Sequence, residues 1–165
     1  MNNSLKNIQD TQLCNNIDKL LSEGNSFLEK NLSDLKISSY CYQINEAVNE
    51  LSLEEEIINE LIEDYVIQIL KSTIFFYKHI QELKKNKLEN RPLNYINIQN
   101  LAHKNLGVAR NLHIKDAEKL LKLIMNENDL ESLEIYIKAL EISAIKLNPL
   151  CAYETLNLIK AKNFL

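Results

Sequence analysis

A chain of 165 residues with 45% hydrophobic residues, two glycines and two prolines has the length of one domain and a real core. It has too few turn formers for a β-sandwich or barrel. The net charge of −4 removes the general drive toward phosphate that nucleic-acid binders obtain from Lys and Arg. Three widely spaced cysteines, Cys14, Cys41 and Cys151, speak against a disulfide scaffold and for a reducing cytoplasm.

Residues 1–10 read as a flexible start, and residues 11–165 as a single helical-bundle domain. The polar, Asn-rich stretch Met1–Gln12 has no apolar run of the kind that marks a signal peptide. A first helix is predicted from about Thr11 to Lys30, with Leu13, Ile17, Leu20, Leu21, Phe27 and Leu28 on one stripe. Gly24 falls inside that stripe, either to admit a neighbouring helix closely or as a weak point. A second helix, about Ser33–Leu51, would place Ile37, Tyr40, Cys41, Ile44, Val48 and Leu51 at helical spacing.

The third helix is the longest, Leu53–Leu88. Ser52 and Glu55 form a capping-box pattern, and Glu54–Glu56 and Lys84–Lys87 suit the two ends of the helix dipole. Its stripe runs Ile58, Leu61, Ile62, Tyr65, Ile69, Thr73, Phe76, Ile80, Leu83. Val66, Ile67, Leu70, Ile74, Phe75 and Tyr77 extend the apolar surface around the circumference, which predicts a helix enclosed by others. The apolar stretch Tyr65–Tyr77 is broken by Lys71 and is too short to span a membrane. Pro92 ends the helix. Asn94 then caps a fourth helix to about Leu112, and Asp116 a short fifth to about Asn126. Asn128 or Asp129 starts a sixth, with the seam Leu130, Leu133, Ile137, Leu140, Ala144, Leu147. Asn148-Pro149 ends it and opens a last helix. The expectation is an all-α antiparallel bundle of six or seven helices around one long central helix.

Motifs for catalysis are missing. No Glu-x-x-His pair of a di-iron bundle occurs, no zinc-ligand spacing, no Gly-rich phosphate loop, and no His lies near Cys41 in sequence. The expectation is a non-enzyme with no cofactor and no metal. The charge is uneven, with 9 Lys against 15 acids in residues 1–90, and 10 Lys and Arg against 8 acids in 91–165. Glu46, Glu50, Glu54, Glu55, Glu56, Glu60, Glu63 and Asp64 fall in a stretch with no Lys or Arg. They form either a solvated face or a field that steers a basic partner. On the sixth helix a second strip, Ile135, Ala139 and Ile142 flanked by Ser132 and Ser143, projects away from the seam. It is either covered by the last helix or exposed to dock an amphipathic helix. Ile135, Ala139, Ile142, Glu54, Glu60, Glu63 and Asp64 are therefore the candidate partner-binding residues.

The segment Leu101–Arg110, with Ala102 and Gly107, resembles a helix-turn-helix DNA reader near residues 98–115. Gly107 follows Ala102 by five residues instead of four, and only Arg110, Asn111 and His113 offer base-reading groups. A DNA-binding regulator is the alternative reading. With its size, acidity and long Ser52–Leu88 helix, the whole chain resembles the helical co-chaperones of flagellar export that partner the flagellin chaperone FliS. That resemblance implies a cytoplasmic chaperone or adaptor that binds another protein; the acidic charge and the short apolar stretch of the third helix make neither nucleic acid nor membrane the expected partner.

Overall fold

A computed structural model describes residues 2–163, with side chains from residue 6 onward. It is 84% helical. Seven α-helices follow in order: α1 Asn2–Leu32, α2 Ile44–Leu51, α3 Glu55–Leu88, α4 Ile96–Asn111, α5 Lys115–Asn126, α6 Leu130–Leu147 and α7 Pro149–Asn163. No strand occurs among the described residues. The start of the first helix is a correction: α1 is already helical at Asn2, not from about Thr11. Nothing in Asn2–Gln12 breaks a helix, and its side chains from Lys6 to Gln12 are exposed.

The predicted helix over 33–51 is also corrected. Only a 3₁₀ turn, Ser33–Leu35, follows α1, and the chain then runs irregularly to Gln43 before α2 begins. Lys36 adopts φ 54 and stops the helix, and Ser52 at φ 52 closes α2. Ser52 therefore ends one helix instead of capping the next, and Glu54 occupies the N-cap of α3 with no side-chain cap bond. Left-handed conformations recur at Asn90 and His113, after α3 and between α4 and α5. Glycine usually takes such positions, but both glycines of this chain lie inside helices.

Two of the other predicted caps are corrected: Tyr95, not Asn94, precedes α4, and Asp116 lies inside α5, whose N-cap is Ile114; the boundaries around α6 fall as predicted. Asp129 accepts a hydrogen bond from the Ser132 amide at 2.9 Å and caps α6. Asn148 accepts one from the Cys151 amide at 3.1 Å, and Pro149 is the first residue of α7. Helix α3 spans about 51 Å at 1.5 Å per residue. It packs against α2, α4, α6 and α7, while α6 packs against α1, α3, α5 and α7. Tyr65, Val66, Ile69, Leu70, Phe76 and Ile80 of α3 are at most 1% exposed and form the spine of the core. The enclosure of α3 is incomplete: Ile57, Leu61, Ile74 and Phe75 are exposed.

Candidate partner-binding surface

Between the end of α2, the first half of α3 and the end of α4 lies a groove of about 410 Å³. Its apolar lining is Leu51, Leu53, Leu61, Val108 and Leu112, with the ring of Tyr65 and with Asp64, Gln68 and Asn111 as polar members. Local structure sets these positions. Leu51 and Leu53 flank the left-handed Ser52, so the α2–α3 reversal itself supplies one wall. The opposite wall is pinned by a polar clasp between α3 and α4. Gln68 Nε2 donates to Asn105 Oδ1 at 2.9 Å, and buried Asn105 donates to Ser72 Oγ at 3.2 Å and to the Leu101 carbonyl at 2.9 Å. Such a clasp fixes the register of the two helices, because any slip would leave a buried amide unpaired.

The acidic stretch divides into two parts. Glu46 pairs with Lys115 at 2.7 Å, and that hydrogen bond holds its carboxyl below the usual range. Glu50 meets His113 Nε2 at 2.7 Å. The basic half of the chain thus reaches back to α2 through the α4–α5 turn. Glu54, Glu55, Glu56, Glu60, Glu63 and Asp64 are exposed and make no ion pair among the described residues. Asp64 lines the groove, Glu60 stands one turn before it, and Glu54 lies at the head of α3. Glu63 receives only a long contact from Asn148 Nδ2, at 3.5 Å.

The second strip of α6 is a correction. Ala139 and Ile142 are 0% and 2% exposed, and Ile135 is half-buried against the core. At Ile142 the covering element is α1: a Cβ built on Gly24 would lie 2.8 Å from Ile142 Cγ2. Gly24 thus serves close approach, and Ile135, Ala139 and Ile142 offer no docking face.

A polar cavity of about 340 Å³ lies among Tyr40, Tyr42, Asp116, Ser143 and Lys146. Burial pushes the Asp116 carboxyl up, against the Ser143 hydroxyl, which donates to it at 2.7 Å. Tyr42 donates to the Leu112 carbonyl at 2.6 Å, and burial pushes its phenol up to about 12. Tyr40 accepts from the Lys115 amide at 3.1 Å, and Lys146 donates to the carbonyls of Ile37 and Ser38 at 3.3 and 2.8 Å. These groups spend their hydrogen bonds on one another and on backbone, so the cluster works as a fastener for residues 36–43.

In the DNA-reader pattern, α4 continues through Gly107 with no turn there, and the reversal comes at Leu112–Ile114. Arg110 is held by Glu118 at 3.2 Å. No helix among the described residues is long and apolar enough to cross a membrane, and no cluster of three or more His, Cys, Asp or Glu stands ready for a metal. No family model, no curated protein and no solved structure matches the chain. Sequence reasoning missed Leu51, Leu53, Val108 and Leu112 as groove residues, since their convergence depends on how α2 and α4 meet α3.

Proposed function

We propose that this protein is a non-catalytic, protein-binding helical bundle, a cytoplasmic chaperone or adaptor that takes a basic amphipathic helix of a client. The observation that carries this reading is the apolar groove between α2, α3 and α4, rimmed by Asp64 and, one turn away, Glu60, neither with a counter-charge among the described residues. Helix-in-groove recognition uses apolar anchors at i, i+3, i+4 and i+7. Acids on the rim favour Lys or Arg beside those anchors and speed encounter at low salt. The architectural likeness to flagellar export co-chaperones accords with it. Free Cys14, Cys41 and Cys151 suit a reducing compartment. Duplex recognition by α4 and α5 stands second, because Arg110, Lys115 and Lys122 are each engaged by a carboxylate.

Fluorescence anisotropy with two labelled amphipathic peptides, identical in their apolar face but flanked by Lys in one and Glu in the other, tests the reading. The Lys peptide is expected to bind at least about tenfold tighter, an advantage that shrinks as salt rises. Leu61→Glu should abolish binding without loss of helix content. Equal binding of the two peptides, or none, overturns the proposal.

A further inference from the structure

The outer side of α3 carries a pattern that the groove does not use. Ile57, Asp64, Lys71 and Lys78 recur every seven residues, so they share one sector of the helix and drift by only about 20° per heptad. Glu60, Ile67 and Ile74 flank this line on one side, and Leu61, Gln68 and Phe75 on the other. Ile57, Leu61, Ile74 and Phe75 are 41%, 37%, 41% and 54% exposed. They are four of the nine exposed large hydrophobic residues of the described chain, so the exposure is concentrated and not scattered.

The charges on this stripe need their own explanation. Helix-dipole compensation reaches only the terminal turns, and accounts for Glu55, Glu56, Lys85 and Lys87. Glu60, Asp64, Lys71 and Lys78 lie further in, and none has an ion-pair partner among the described residues. The stripe is acidic before Ile67 and basic after Gln68, with apolar residues at both ends. A matching surface must be basic where this one is acidic and carry its apolar residues in reversed order. The same stripe, turned end for end, meets that description.

We propose that α3 is the contact helix of a two-fold symmetric homodimer, in which a second copy of this chain lies antiparallel across it with the axis passing between Ile67 and Gln68. That register sets Asp64 of each copy opposite Lys71 of the other, and Leu61 opposite Phe75. Ile74 falls beside the stem of Glu60, and Ile57 packs on the stem of Lys78, whose ammonium group reaches water. The offsets agree, because an antiparallel two-fold brings each side of the stripe against the same side of the partner: Leu61 and Phe75 lie on one side, Glu60 and Ile74 on the other. A parallel pairing would oppose Asp64 to Asp64 and Lys71 to Lys71, so charge selects the antiparallel form. The contact is isologous: each ion pair and each apolar pair occurs twice. The face shares Leu61 and Asp64 with the groove, so a second copy and a client would compete for it.

Sedimentation equilibrium of the full chain at micromolar concentration tests this without any client. The expected mass is twice the 19.2 kDa of the chain. Asp64→Lys and Lys71→Asp, both at exposed positions, should each weaken association at least about tenfold while circular dichroism and melting temperature stay unchanged. An equimolar mixture of the two single variants should recover the dimer, because each supplies the charge the other lost. The double variant, Asp64→Lys with Lys71→Asp, should dimerise with itself. A wild-type protein that stays monomeric overturns the proposal, as do single variants that dimerise like wild type or a mixture that fails to recover. No peptide is present in these measurements, so a monomeric result leaves the groove reading standing.

Discussion

Helices α3 and α6 both read as apolar around most of their circumference, yet nine of the 18 residues of α6 are buried against eleven of the 34 of α3. Their charged residues separate them. On α6, Glu134 is paired with Lys84 at 2.6 Å, Lys138 with Glu141 at 3.1 Å, and Lys146 is tied to backbone carbonyls. Its other contact positions include Ala139, Ser143 and Ala144, small enough for a neighbouring backbone to come close, and α1 answers with Gly24. On α3, Glu60, Asp64, Lys71 and Lys78 stand at near-heptad spacing with no ion-pair partner among the described residues. Apolar circumference alone does not decide which helix is enclosed. Unpaired charge at regular spacing marks the side that faces water or another molecule.

The sharpest way to break this contrast is a charge on each helix. Ile142→Glu places a carboxylate with no partner where the side chain is 2% exposed, and should unfold the protein or cost several kcal/mol. Ile74→Glu on the outer face of α3 should change stability by no more than about 0.5 kcal/mol. Denaturant melts that rank them the other way would exchange the two environments.

A finer test lies within α3. Phe76, fully buried, and Phe75, 54% exposed, are adjacent in sequence. Phe76→Ala should cost about 3–5 kcal/mol, and Phe75→Ala well under about 1 kcal/mol. Equal losses would mean that the chain's own helices cover the outer stripe.

The smallest expected effects concern the two glycines. Gly24→Ala drives a methyl group against Ile142 at 2.8 Å, and should cost about 1–3 kcal/mol in overpacking, partly offset by helix propensity. At Gly107 a Cβ meets nothing within 4 Å, and Ala should stabilise the exposed helix by about 0.8–1 kcal/mol. If thermal melts showed both substitutions stabilising, α1 would be free to back away from α6.

Local chemistry made much of this fold legible. Asp129, Asn148-Pro149 and the terminal charges of α3 act on their own backbone within a turn, and the helices they delimit are where they signal. The segment 33–51 misled because Tyr40, Cys41, Ile44 and Val48 do keep helical spacing. What holds residues 36–43 out of a helix is hydrogen bonding to Leu112 and from Lys115 and Lys146, partners that no local pattern reveals. Ser52 and Glu55 misled likewise, since a Ser-x-x-Glu run also fits a helix end followed by a new start. For the candidate surface, Glu54, Glu60, Glu63 and Asp64 were visible as unbalanced charge. The groove beside Asp64 was not, because its walls come from helices far apart in sequence. Lys71 and Lys78, spaced like Ile57 and Asp64, were the legible sign that one side of α3 is open.

The fastening of residues 36–43 also bears on the order of folding. Tyr42 reaches Leu112 across 70 residues, and Lys146 reaches Ser38 across 108, whereas α4 and α5 meet across a three-residue turn. Contacts of high sequence separation repay the entropy of closing the chain only after their distant partners are in place. The carbonyl of Leu112 belongs to the α4–α5 turn, so the strap docks after that hairpin and detaches before it. Leu51 and Leu53 follow the strap in sequence and form one wall of the groove. The groove is therefore complete only when folding is, and a client of the kind proposed would meet only chains that have finished.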